Sequence, residues 1–261
     1  MNTIVCIKQV PAGSQVKIDE ETGVLIREGA GTKLNPYDLT ALETAFLLRE
    51  KHGGKVCVVT MGPPQAASAV KEAYFMGADE GYVFSDIKFA GADVLATSYT
   101  LSQGIRLLGG FDLIVCGKQT TDGDTAQVGP ALAEFLGIPH VAWVVRAEGR
   151  NSGIEVRQDL PDTSETVYMS YPCLITVERG AEAPRLPSYR RMKEFGSRPV
   201  NILDFRAFLD QDEEKYGLFG SPTQVVKMFP PEANDCHEIW TGEGPELAAR
   251  IGEKLKEMKY M

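Results

Sequence analysis

Residues 116–130, CGKQTTDGDTAQVGP, gather hydroxyls, amides, carboxylates and small residues into one stretch. Gly117 and Gly123 let a backbone approach a ligand closely. Thr121, Thr125 and Gln127 can then donate to phosphate or sugar oxygens. Asp122 would sit poorly beside a phosphate, so a ribose hydroxyl or a helix N–H suits it better. The stretch also has a purely structural reading, in which Asp124 caps a helix and Gln127, three residues on, returns the bond. It is not a Walker loop, because no Gly-Lys-Ser/Thr follows, and it does not match the G-x-G-x-x-G dinucleotide fingerprint.

No other part of the chain offers a nucleophile with its base, a carboxylate dyad or a metal cluster. His52, His140 and His237 are far apart and lack ligand spacing. The cysteines, Cys6, Cys57, Cys116, Cys173 and Cys236, are odd in number with no C-x-x-C pair; they read as small core residues in a reducing compartment. We therefore expect no catalytic side chain and no metal. If the chain takes part in a reaction, a bound cofactor carries the chemistry.

The elements that would position this stretch are legible. The run 111–116 is short and apolar, as suits a strand covered on both faces. With runs at 3–10, 55–61 and 138–146 it alternates with helical patterns at 36–52, 63–77, 91–109 and 125–137. That alternation predicts an α/β fold, a mostly parallel Rossmann-type sheet with helices on both faces. In such sheets ligands bind beyond the C-terminal strand ends, where helix N-termini offer free N–H groups to phosphate. Asn35 and Pro36 open the first helix, Leu39, Leu42 and Phe46 give it an apolar face, and Gly53-Gly54 closes it. Before it, residues 16–29 read as a hairpin around Thr22-Gly23. IEVRQDL and TVYMSYPCLITVE read as antiparallel additions to the sheet. Asp93, Thr97 and Ser98, at the start of a helix, could meet a second phosphate.

A net charge of −9 argues against nucleic acid or an anionic membrane as main partner. No apolar run approaches the roughly 18 residues of a membrane span. The first residues look like a strand rather than a signal peptide, so the expected location is cytoplasmic.

After residue 180 the texture changes. Residues 181–200 hold several prolines and basic residues without a sustained period, and a loop of that length exceeds the usual ~12–15 residues. Extended at ~3.3 Å per residue, such a segment could leave the body and clasp a partner. A terminal stripe of Leu247, Ile251, Leu255 and Met258 marks an amphipathic helix that needs a covering surface. The expected division is a nucleotide-binding domain over 1–180, a recognition loop over 181–200 and a C-terminal arm and helix over 201–261.

Taken together, CIKQV at 6–10, NPYD at 35–38, MGP at 61–63, MGADEG at 76–81, GKQTTDGDTAQVG at 117–129 and APRLPSYRRMK at 183–193 resemble the β subunit of electron-transferring flavoproteins. The resemblance spans essentially the whole chain. It implies a heterodimer with an FAD-carrying α subunit and a nucleotide site comprising Cys6, Asn35, Pro36, Tyr37, Asp38, Met61, Gly117, Lys118, Gln119, Thr120, Thr121, Asp122, Gly123, Asp124, Thr125, Ala126, Gln127 and Val128. We add Asp93, Thr97 and Ser98 to that set. The irregular segment corresponds to the family's dehydrogenase-docking loop, with Pro184, Arg185, Leu186, Tyr189 and Met192 as partner-binding candidates.

DGDTAQVGP and GADVLATSYTL resemble the electron-bifurcating branch, since Gly123, Thr125 and Ala126 leave room for a pyrophosphate and ribityl chain. That branch implies FAD in this site, NADH as hydride donor, ferredoxin or flavodoxin as low-potential acceptor, and an acyl-CoA dehydrogenase or related flavoenzyme served through the α-subunit FAD. The alternative is a respiratory-type β subunit with structural AMP. A non-redox nucleotide-binding module is the reading from another class, and the long segment and the tail helix, both interface material, speak against it.

Overall fold

The computed structural model describes residues 1–13, 31–226 and 237–260, with two short strands at 17–18 and 25–26. Residues 1–226 and 227–261 form two compact units. In chain order the first contains β1 (Thr3–Cys6), β2 (Gln9–Pro11), β3 (Lys17–Ile18), β4 (Leu25–Ile26), β5 (Thr32–Leu34), α1 (Pro36–His52), β6 (Val56–Met61), α2 (Ala67–Met76), β7 (Glu80–Phe84), α3 (Val94–Leu108), β8 (Leu113–Gly117), α4 (Val128–Leu136), β9 (His140–Arg150), β10 (Gly153–Asp159), β11 (Ser164–Ser170), β12 (Cys173–Val177), α5 (Tyr189–Phe195) and β13 (Asn201–Leu203).

Nine strands join in the order β11-β10-β9-β12-β8-β1-β6-β7-β13. Every pairing from β9 to β13 is parallel, and only the β9–β10–β11 extension is antiparallel. Alternation across the sheet explains the two-sided core. Val5, Val58, Val115 and Ile175 pack with α1 and α2 on one face. Ile4, Val59, Ile114 and Leu174 pack with α3 and α4 on the other. The α/β architecture expected from the alternating pattern is the architecture found.

Several elements differ from the sequence expectation, each for a physical reason. The run 3–10 breaks after Cys6, because the Lys8 backbone turns away to bond Asp38 and Asn35, and Gln9–Pro11 pairs with β5 instead. TVYMSYPCLITVE is two strands: Pro172 has no N–H to extend a ladder, and beyond it β12 lies parallel between β8 and β9. Strands β7 and β13 had no place in the sequence reading. The expected arm does not begin at 201, since residues 201–226 belong to the first unit. β13 extends the sheet beside β7, and Phe205, Phe208 and Tyr216 are buried with Phe84 and Phe89. β3 and β4 pair antiparallel as a hairpin would, while the Thr22-Gly23 turn lies outside the described residues, as does Cys236.

The second unit contributes α6 (Gly244–Glu257), none of whose residues is buried. Ile251 in the helix and Met258 just past its end, both of the expected apolar stripe, are each about half exposed.

Candidate functional site

The ends of β1 and β8 meet the start of α1 through one buried residue. Asn35 is fully buried. Its Nδ2 donates to Asp38 Oδ1 at 2.8 Å and to the Gln119 carbonyl at 2.9 Å. Its Oδ1 accepts the Thr121 N–H at 3.3 Å, and its own N–H donates to the Lys8 carbonyl at 2.9 Å. Three chain segments are thus held by one residue, the β8 loop and Asp38 through its side chain and Lys8 through its backbone N–H, and the side chain does not cap α1. Pro36 eases that loss because it brings no N–H to the first turn.

Asp38 takes the Lys8 N–H at 2.7 Å on its other oxygen. Burial pushes its carboxyl up to about 7, against the pull of Asn35, the Lys8 and Gly117 N–H groups and the Lys8 charge. Gly117 is required where it stands: a Cβ there would lie 2.5 Å from Asp38 Oδ1 and 2.8 Å from the Tyr37 carbonyl carbon.

The loop after β8 departs from the capping expectation. Helix α4 begins at Val128, not near 125, and no side chain caps it. Asp124 has φ +53° and receives a hydrogen bond from Gln119 Nε2; Ala126 has φ +56°. Two non-glycine residues in the left-handed region cost of order 1 kcal/mol each and re-aim the chain. The first-turn N–H groups of α4 are therefore left without a side-chain cap at the C-terminal edge of a parallel sheet, where the helix carries about half a positive charge. Residues 121–125 beside them are exposed. Small side chains, an open loop and uncapped N–H donors fit an adenine or flavin nucleotide's phosphates, and Gly123, Thr125, Ala126, Gln127 and Val128 are the residues that could hold them.

Lys8, absent from the sequence candidates, bridges this loop to β1. Its Nζ lies 3.0 and 2.8 Å from the two Asp122 oxygens. Burial works to raise the Asp122 carboxyl, but the Lys8 hydrogen bond and charge outweigh it and hold the group below the usual range. A lysine directly after the first strand, in CIKQV, was the available signal. Lys118 is engaged elsewhere, on Glu178 Oε2 at 2.7 Å and over the Trp143 ring.

The remaining candidates are less accessible. Cys6 is half-buried and in register with Cys116; Met61 packs against the α3–α4 side. Asp93 caps α3 through Ala96 N–H, and its other oxygen accepts from both the N–H and hydroxyl of Thr223. Ser98 is fully buried, donating to the Val94 carbonyl at 2.7 Å and the Val128 carbonyl at 3.3 Å. Ser98 therefore ties α3 to the start of α4, and Thr97, like Asp93, is half-buried.

The segment 181–200 stays on the body instead of leaving it. Arg185 donates through Nε and Nη2 to the two oxygens of Glu43 at 2.8 Å each, and through Nη1 to Glu50 at 2.7 Å. Arg191 donates to the Tyr74 and Ala78 carbonyls at the end of α2. Arg185 is thus an anchor, whereas Leu186, Tyr189 and Met192 project outward, 86%, 69% and 45% exposed.

With this geometry, comparison with known proteins is decisive. The electron transfer flavoprotein domain matches residues 22–206. The chain belongs to the electron transfer flavoprotein family. Its relatives include the electron transfer flavoprotein subunit beta of Clostridium acetobutylicum, 42% identical with all of both chains covered. It is 40% identical to the caffeyl-CoA reductase-Etf complex subunit CarD of Acetobacterium woodii, over 98% of each chain. Protein FixA of Azorhizobium caulinodans is 39% identical, with 89% of this chain and 85% of that protein covered. The family's β subunits pair with an α subunit, and the role is electron transfer. Among the described residues no helix is long and apolar enough to cross a membrane.

Proposed function

We propose that this chain is the FAD-binding β subunit of an electron-bifurcating flavoprotein. A flavin held by these residues would supply the redox chemistry, with NADH as the donor and ferredoxin or flavodoxin and the α-subunit FAD as the acceptors. The chain's own residues bind and orient. Uncapped N–H groups of α4 would receive phosphate, Gly117 admits close backbone approach, and Asn35, through its side chain and its backbone N–H, keeps the loops from β8 and β1 in register. No stand-alone catalysis is expected.

The observation that carries the reading is the uncapped α4 start behind an exposed loop of small residues, which suits the phosphates of a dinucleotide as well as of AMP. Relatedness to a subunit named for a caffeyl-CoA reductase-Etf complex supports an acyl-CoA dehydrogenase-type flavoenzyme as the enzyme served. The outward Leu186, Tyr189 and Met192 give that partner an apolar surface. Helix α6 suits the α subunit as its cover, and a cytoplasmic location follows from those partners.

The test is the cofactor content of the co-purified αβ pair, with FAD and AMP counted separately. Two FAD, no AMP and bleaching of the second flavin by NADH are expected. One FAD with one AMP and no response to NADH would move the chain to the respiratory type.

A further inference from the structure

The strand-end segments 6–9, 35–38, 61–63 and 117–127 carry three carboxylates, Asp38, Asp122 and Asp124, against two ammonium groups, Lys8 and Lys118. That is an adverse charge for a site meant to take a phosphate. Lys118 does not correct it, because its Nζ is given to Glu178 at 2.7 Å. Asp124 is met by the neutral amide of Gln119. Asp122 has one cationic partner, Lys8, which contacts both of its oxygens. Lys8 is also fixed at its backbone, through its N–H to Asp38 and its carbonyl to Asn35, so the ammonium is delivered to Asp122 by the same network that shapes the site. With a side chain 43% exposed beside an Asp122 at 26%, the pair sits at the surface of the loop and not in the core.

We infer that Lys8 is the positioning residue that makes this acidic loop receptive to phosphate: by pairing with Asp122 it removes the charge that would otherwise repel the nucleotide's phosphate groups. The inference rests on the nucleotide reading above and deepens it, since it assigns charge selection at that site to one lysine. An uncompensated carboxylate ~10 Å from a phosphate at an effective dielectric of ~20 weakens binding roughly tenfold.

The test titrates the αβ complex, after nucleotide removal from the β site, with AMP and with adenosine, which differ only in the phosphate. Lys8→Gln is expected to lose about tenfold in AMP affinity while adenosine affinity stays unchanged. The double variant Lys8→Gln/Asp122→Asn, with the offending charge gone, is expected to recover AMP binding. An equal loss for AMP and adenosine would make Lys8 merely structural, and unchanged AMP binding or a double variant no better than the single would likewise overturn the inference. If wild-type complex binds neither AMP nor FAD at this site, the nucleotide reading falls and this inference with it. Wild-type binding with an indifferent Lys8→Gln removes the inference alone.

Discussion

Replacing Asn35 by alanine removes three hydrogen bonds from a fully buried amide. The bond to the Asp38 carboxylate contributes about 1.5–3 kcal/mol and each of the two neutral ones about 0.5–1.5 kcal/mol. The Gln119 carbonyl and the Thr121 N–H lose their partner together, so a loss of roughly 4 kcal/mol is expected. For a body of this size that corresponds to about 8–16 °C in Tm. The chain has two tryptophans, Trp143 in the body and Trp240 in the second unit. In a Trp240→Phe background, urea unfolding followed by Trp143 fluorescence therefore reads the body directly. Asn35→Asp gives a sharper contrast, because it sets a second carboxylate against Asp38 where an N–H now donates at 2.8 Å. It should be more damaging than alanine at pH 8 and recover at pH 5, where one proton can be shared. The reasoning is refuted if Asn35→Ala costs under ~1 kcal/mol, or if Asn35→Asp is the milder change at pH 8.

Gly117→Ala must push Asp38 or Tyr37 aside, so it should destabilise the body by about 1–3 kcal/mol and lower nucleotide retention on gel filtration. Asp38 has its pKa raised from 3.8 to about 7, so its contribution is fully present below pH 4, declines as pH rises through the interval and is flat above 7. Integrated, this is of order 4 kcal/mol, and it appears as a falling wild-type-minus-Asp38→Asn stability difference between pH 4 and 7. Arg185→Ala breaks a two-pronged bond to Glu43, whose side chain is 7% exposed. With Arg185 itself 31% exposed, the cost is reduced to about 2 kcal/mol, and limited proteolysis at residues 181–190 should accelerate while the sheet core stays intact.

Helix α1 was readable because local signals and tertiary role agree: Asn35-Pro36 opens it, Gly53 closes it, and its bounds match. What the reading missed about Asn35 is that its side chain caps no N–H of its helix and instead bonds Asp38 and the distant loop 119–121, a choice set by tertiary contacts. Asp124 failed as a cap for a related reason, since Gln119 competes for it and φ +53° points it away. Strand β7 escaped notice because Glu80, Gly81 and Tyr82 break the apolar run, and their place in the sheet is secured by β6 and β13 on either side. β12 was misassigned because parallel and antiparallel strands share one side-chain period, and only the neighbours β8 and β9 decide direction. The glycine and threonine loop announced itself by composition. Lys8 did not, because its importance lies in a carboxylate over a hundred residues away.

The segment between β12 and β13 leaves one interior strand and returns as the last strand of the sheet, five strand positions away. At ~4.8 Å per strand that is a span of about 24 Å, far shorter than the segment's contour. The slack is taken up by α5 and by the Arg185 and Arg191 anchors. Leu186, Tyr189 and Met192 are thus displayed from a girth strap buckled at both ends, whose conformational freedom is given up on folding. A partner that met that strap would order little further backbone on docking, so contact there could be quick to form and still brief.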